Sequence, residues 1–532
     1  MHAPLLWSCL LALASGWFGF ANPWLHIPPA VLAVPAAFCL IGLKADSRKQ
    51  AFRFGFLGGL LMFAACIYWV AIPVHDFAFL PWILAAPCPL LLAAYMALFS
   101  GVFSMEMRWL ALCLESKKMG TSSVFLYALF GGCLWALFEW TRCWLGTGFP
   151  WIALAQAFAP WPFAIQTLAL VGSHGVAALF GFASCLLAAP FALPGAGPRS
   201  RIVAFSASGL CLALMLGYGF YALGPGDKTH QTGTIPVSLI QGNIDQSQKW
   251  DKAFQRGTVD KYLSMSLDAV NIHAPELVIM PETAMPFYFQ EPSENSNLVR
   301  GFAVQTGVSM LLGAPGYTPD KTAKEGYALY NRAFLLNKNG NVIKSYDKEH
   351  LVPFGEYVPL DGWLPLGKLV EGIGDFRPGR DPSPLRIGSL ALGALICYEA
   401  IFPELAQGRV AAGANALVNI SNDAWYGRSS AAEQHLHLSI LRAVEQGRWL
   451  IRATNTGISA VVDAKGRVHS RTGVFTTEIL NDRVAIETDL TVFHRLQPYL
   501  PGALLGLVLA IGLYARRGQA ALERGRPETP QH

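Results

Sequence analysis

The sequence predicts a helical membrane body with one inserted α/β domain, and three observations carry that reading. Of the 532 residues, 53% are hydrophobic and only 14% charged, against roughly 25% charged in soluble domains. Apolar runs of bilayer length, about 20 residues each, recur up to residue 223 and return once after residue 500. Between them, residues 227–497 read as soluble protein, with short apolar runs alternating with amphipathic ones. The expected units are a membrane bundle over 1–226 with about seven helices, an α/β domain over 227–497, and a last helix with a basic tail over 498–532. The net charge of +5 is small for this length and gives no reason to expect nucleic acid.

Spans are expected near 5–20, 27–43, 54–74, 79–110, 125–144, 163–193, 202–223 and 501–514, about eight in all. The fourth and sixth are long for one crossing and leave room for tilt or interfacial turns. Basic clusters alternate with these spans: Lys44, Arg48, Lys49 and Arg53; Arg108, Lys117 and Lys118; Arg199 and Arg201; Arg516, Arg517, Arg524 and Arg526. All four fall on one side if the N-terminus is cytoplasmic, which puts the α/β domain on the other side, the periplasm of a bacterium. Glu139 and Arg142, three apart inside an apolar run, are either functional intramembrane charges or an interfacial pair.

In the soluble part, the runs IPVSLIQGN, ELVIMPE, VSMLLGAP, AFLLN, ALGALICYE and ALVNISND end in Gly, Pro, Asn or Asp, as buried strands do. Asn337–Gly340 and Asp463–Gly466 read as hairpin turns, and residues 431–447 have the spacing of an amphipathic helix. Of ten cysteines, only Cys397 lies in this region. It follows a buried run at a strand-to-helix corner, where a helix N-terminus would favour the thiolate; position alone leaves it either a nucleophile or an inert strand-end thiol. Glu282, between Pro281 and Pro286, is either an aimed base or a loop carboxylate, and Lys348 either an oxyanion-stabilising ammonium or a solvated turn lysine. Glu356 is placed to orient that lysine. His435 and His437 lack further ligands at metal spacing, and no phosphate-binding glycine loop is present, so neither a metal nor a nucleotide cofactor is expected.

The order Pro281-Glu282, then Tyr346-Asp347-Lys348 through Pro359, then Ile396-Cys397-Tyr398-Glu399 resembles the nitrilase superfamily. The flanking segments QGNIDQSQKW, HLVPFGEYVP, SNDAWYG, Gln434-His435, RATNTGISAVVDAKGRV and, in the membrane half, GFPW resemble the bacterial apolipoprotein N-acyltransferases. One departure is Met280, where that family usually has Trp. The resemblance implies an α-β-β-α sandwich, with Glu282, Lys348 and Cys397 as a catalytic triad and Glu356, Tyr398 and Glu399 in support. It implies substrate contacts from Trp250, Trp425, Gly148 and Asn331. The implied reaction moves a fatty acyl chain from the sn-1 position of a phospholipid, through a Cys397 thioester, to the α-amine of a diacylglyceryl-cysteine. The implied setting is the inner membrane, with the catalytic domain facing the periplasm. A membrane-tethered amidase shares the triad but not GFPW or SNDAWYG. A transporter predicts charges or broken helices along several spans, and only Glu139 and Arg142 come near that.

Overall fold

The computed structural model describes residues 3–115, 120–193, 196–224, 233–247, 249–321, 325–358 and 375–524. Lys117, Lys118, Pro359 and Arg526 lie outside the described residues. The chain forms two compact units, one of Met1–Tyr68, Ala86–Asp227 and Arg495–His532, the other of Trp69–Ala85 and Lys228–His494.

The first unit is a helical bundle. Among the described residues, five helices are long and apolar enough to cross a membrane: Trp82–Leu114, Thr121–Thr141, Leu168–Phe191, Pro198–Leu223 and Leu500–Arg517. A sixth is reached if the broken pair Arg48–Cys66 and Tyr68–Asp76 counts as one span. About eight were expected; the other two expected spans, Ala3–Gly19 and Pro28–Lys44, form shorter apolar helices. Seventeen residues of helix reach about 26 Å at 1.5 Å per residue, short of a hydrocarbon core of about 30 Å. Small residues bring the helices together, as in other membrane bundles. Ser100 Oγ donates to the carbonyl of Gly55 at 3.0 Å, and a Cβ on Gly132 would lie 2.4 Å from the Ala178 carbonyl oxygen.

Glu139 and Arg142 are both buried, each 3% exposed, and both serve one loop. Glu139 Oε1 accepts from Trp135 Nε1 and from Leu154 N, each at 2.9 Å. Arg142 Nη1 donates to the Trp151 carbonyl at 3.0 Å. Between these anchors the loop carrying Gly148–Trp151 contains left-handed residues at Thr147, Gly148 and Ile152. The two charges therefore satisfy backbone groups that a helix would have paired internally.

The second unit is a four-layer sandwich. One sheet contains β1 (Thr234–Gln241), β2 (Leu277–Ile279), β3 (Ser309–Pro319), β4 (Tyr327–Leu336), β5 (Val342–Asp347) and β12 (Glu478–Ala485), in the order β12-β1-β2-β3-β4-β5. The other contains β6 (Leu385–Ile387), β7 (Leu390–Ile396), β8 (Ala416–Ser421), β9 (Leu450–Thr454), β10 (Ala460–Val462) and β11 (Val468–Arg471), in the order β11-β10-β9-β8-β7-β6. Alternation along each strand divides the apolar residues between two cores. Val237, Leu239, Leu277, Ile279 and Leu311 meet Leu392, Ala394, Ile396, Val418 and Ile420 between the sheets. Ile240, Val278, Met310 and Leu312 instead face α1 (Lys252–His273) and α2 (Glu294–Thr306), through Val259, Tyr262 and Val299. On the second sheet, α3 (Pro403–Ala411) follows β7, and α4 (Ala431–Gln446) follows β8. This is the expected α-β-β-α order.

Both expected hairpins form. Asn337 Oδ1 accepts from the amides of Asn339 and Asn341, and Asp463 Oδ1 from those of Lys465 and Arg467; Gly340 and Gly466 take positive φ. The segment Trp69–Ala85, expected within two spans, packs instead in this unit. Trp69 Nε1 donates to Gln434 Oε1 at 3.0 Å, and Phe77 meets Trp425 edge-on at 4.6 Å between centroids.

Candidate active site

β7 is buried along its whole length and delivers the chain to Cys397. There the backbone turns sharply: Cys397 has φ 53°, a left-handed value that a non-glycine residue holds at a cost of about 1–3 kcal/mol. A 3₁₀ turn, Cys397–Ile401, follows, and Pro403 opens α3. Phe402 is extended, as a residue before proline prefers. The helix expected to begin at Tyr398 thus begins five residues later, and no α-helix starts at the thiol.

Side chains hold the strained corner. The Cys397 carbonyl accepts from Asn419 Nδ2 and from His435 Nε2, each at 3.2 Å. Glu399, fully buried, accepts from Ile396 N at 2.6 Å, Glu349 N at 2.7 Å, His350 N at 3.0 Å and Tyr346 Oη at 2.8 Å. It therefore ties the corner to the segment after β5, where Lys348 sits. Tyr398 packs against Phe402 at 5.2 Å between ring centroids.

Glu282 leaves the end of β2 in a turn whose next residue, Thr283, has φ 48°. The turn lies flat on β3 because position 313 is glycine. A Cβ there would stand 2.5 Å from Thr283 N and 2.7 Å from Glu282 Cα. Lys348, anchored through its amide to the Asn331 carbonyl at 2.9 Å, aims its ammonium at two carboxylates. Its Nζ is 2.8 Å from Glu356 Oε2 and 3.8 Å from Glu282 Oε1. Asn331 Nδ2 bridges the same pair, donating to Glu282 Oε1 at 2.6 Å and to Glu356 Oε1 at 2.8 Å. Among the described residues, the other Glu282 oxygen, Oε2, is buried with no hydrogen-bond partner.

The electrostatics separate a resting acid from a waiting base. Burial pushes the Cys397 thiol up to about 12, with Glu282 adding to the rise and Lys348 opposing it. Burial also raises the Glu282 carboxyl above its usual value, against Lys348. For Lys348, burial acts to lower the ammonium, but Glu356 and Glu282 outweigh it and hold it well above its ordinary value. The pocket therefore keeps a neutral thiol beside a permanently charged lysine.

Behind Cys397 lies a second buried network. A carbonyl only accepts, so the His435 contact places a proton on Nε2, while Nδ1 lies between Arg452 Nη2 at 3.0 Å and Asp423 Oδ1 at 3.1 Å. Arg452 Nη2 also pairs with Asp423 Oδ2 at 2.7 Å, and both residues are fully buried. Burial disfavours the Asp423 charge, but Arg452 and His435 overcome it and hold the carboxyl below the usual range. Arg452→Met strips that carboxylate of its cation, and a loss of about 3–5 kcal/mol is expected. Thermal unfolding in detergent would read it as a large fall in melting temperature.

Of the residues expected from sequence, Glu282, Lys348, Glu356 and Asn331 share one hydrogen-bonded cluster, and their charges act on Cys397 through Glu282 and Lys348. Asn331, expected to touch substrate, has its amide nitrogen committed to the two carboxylates. Trp250 and Trp425 are half-buried, and Gly148 lies in the helical unit with φ 86°. Sequence reading missed Lys249, Asn419 and the Asp423–Arg452 pair. Arginine inside the apolar run LIRATN was the one available signal, since a charge in a buried strand demands a partner.

Comparison with known proteins agrees with this architecture. Residues 237–488 match the carbon-nitrogen hydrolase family, and residues 11–186 match the apolipoprotein N-acyltransferase N-terminal domain. An apolipoprotein N-acyltransferase of Geobacter metallireducens is 37% identical over 91% of this chain and 91% of its own. That of Chromobacterium violaceum is 34% identical over 97% of this chain and 95% of its own. Among solved structures, Saccharomyces cerevisiae Nit3, of the nitrilase superfamily, is 19% identical, covering 51% of this chain and 95% of its own, with a TM-score of 0.38. With that identity sustained along both the helical unit and the sandwich, the chain belongs to the apolipoprotein N-acyltransferase family.

Proposed function

We propose that this inner-membrane enzyme transfers a fatty acyl chain from the sn-1 position of a phospholipid to the α-amine of an S-diacylglyceryl-cysteine at an apolipoprotein N-terminus. The observation that carries the mechanism is a buried neutral thiol flanked by a carboxylate with one unengaged oxygen and by a lysine held charged. Glu282 takes the Cys397 proton through Oε2, and the thiolate attacks the ester carbonyl. Glu356 engages one of the three N–H bonds of Lys348 at 2.8 Å, while Glu282 stands beyond hydrogen-bond distance at 3.8 Å, so a donor remains to stabilise the oxyanion. Collapse forms the thioester, and the lysophospholipid leaves with the proton that Glu282 returns. The acceptor amine, deprotonated by Glu282, then attacks the thioester and expels Cys397. The two half-reactions predict ping-pong kinetics. Glu356 orients Lys348, while Glu399 and Tyr398 secure the corner. Trp250, Trp425 and Gly148 remain candidates for lipid contact. The basic clusters between spans favour a periplasmic catalytic domain.

The test is reconstitution in vesicles whose phospholipid carries an isotope-labelled sn-1 chain, with a synthetic diacylglyceryl-cysteine peptide. The peptide should gain one labelled chain on its amine, with one lysophospholipid released per chain. Labelled free fatty acid beside an unchanged peptide would make the protein a hydrolase instead.

A further inference from the structure

Lys249, on the segment joining β1 to α1, is a titratable group the mechanism above leaves unused. It is only 1% exposed, and its Nζ donates to the backbone carbonyl of Glu282 at 3.2 Å. An ammonium is rarely buried without a counter-charge. The charges that act on it through space are Glu282 and Cys397, and Glu282 in turn feels Lys348 and Glu356. Cys397 also feels Asp423, but Arg452 neutralises that carboxylate at 2.7 Å. Without Lys249, two carboxylates would share the single ammonium of Lys348.

We propose that Lys249 is a positioning residue of the acyl-transfer site: it anchors the Glu282 turn and supplies, beside Lys348, a second positive charge that favours the ionised Glu282 carboxylate before the thiol gives up its proton. The anchor acts at the residue preceding the left-handed Thr283, where the carboxylate's direction is set. Burial draws the Lys249 amine down to about 8 against the pull of Glu282 and Cys397, which leaves it protonated at neutral pH. Its charge lowers the proton affinity of Glu282. The proposal rests on the acyl-transfer reading, with Glu282 as the base.

The experiment measures the rate of acyl-enzyme formation against pH for full-length wild-type, Lys249→Met and Lys249→Arg proteins in phospholipid vesicles. Lys249→Met should be slower by about 10- to 100-fold at pH 7, with its acidic limb moved up by about one pH unit, because the base loses a stabilising cation. Lys249→Arg should return the limb to its wild-type position, even if the rate is only partly restored. An unchanged rate in Lys249→Met overturns the proposal. So does an equal slowing at every pH with the limb in place, which is what a purely structural role would give. If Lys249→Met does not fold, Lys249→Arg decides. An unmoved limb supports the proposal, and a limb displaced to lower pH overturns it, because Lys249 would then be neutral where the base works. Wild-type protein that forms no acyl adduct overturns the acyl-transfer reading and this proposal together. A normal wild-type enzyme with either adverse variant result overturns this proposal alone.

Discussion

Protein with Cys397→Ala, purified from membranes, is expected to carry no fatty-acyl adduct, whereas the wild type carries one that hydroxylamine removes. Intact-mass spectrometry makes the comparison directly. Turnover should fall by at least about 10⁴-fold, as it does when the nucleophile of a covalent mechanism is deleted. The alanine is expected to keep the fold. The corner is held chiefly through the Cys397 carbonyl and through Glu399, and alanine gives up one side-chain hydrogen bond, with Ser421. Retained acyl transfer in a folded alanine variant would move the nucleophile elsewhere. The nine other cysteines lie in or beside the expected membrane runs, so an adduct that survives the substitution could be mapped to one of them.

The second large effect is expected at Glu282. The glutamine variant preserves an oxygen to accept from Asn331 but provides no base, and the first half-reaction should slow by about 10²- to 10⁴-fold. The pH dependence has a definite sign. Glu282 works deprotonated, so the wild-type rate falls as pH drops through its pKa. Burial raises that pKa above the ordinary carboxylate value of 4.5, so the acidic limb should appear above that value. In Glu282→Gln the limb should vanish from the residual rate. Stopped-time sampling of the acyl-enzyme across pH 4–9 reads both results. A glutamine variant that acylates at the wild-type rate, with its limb intact, would assign the proton transfer to another group.

Much of the sandwich was legible because local and global preferences agree there. The helix expected over 431–447 appears as α4, closed by Gly447 in the left-handed region. The Asn-Gly and Lys-Gly turns sit where the strands need them. Glu282, Lys348 and Cys397 were nameable because their order along the chain resembles the nitrilase superfamily; by position alone each also read as an ordinary loop or strand-end residue. Burial of charge was harder to read. Lys249 sits in a polar run, QSQKW, that resembles any exposed turn; only the packing of that segment over Glu282 takes its amine out of water. Asp423 and Arg452 lie 29 positions apart in sequence and meet only because β8 and β9 are adjacent and parallel. The path of one expected span was hidden for a related reason. Hydropathy cannot see that the apolar segment after Cys66 breaks and joins the sandwich, where Trp69 and Phe77 find aromatic partners.

The depth at which Cys397 is held has a consequence for the lifetime of the enzyme. Burial pushes the thiol up to about 12, so only a very small fraction of molecules carries the thiolate at pH 7. Oxidation, alkylation and disulfide exchange all proceed through that anion and need access to it. A cysteine that is only 6% exposed and protonated at rest is therefore nearly inert toward solvent-borne oxidants. The same desolvation that makes the nucleophile depend on Glu282 also preserves it between turnovers, so damage should track the reaction cycle more closely than the age of the protein.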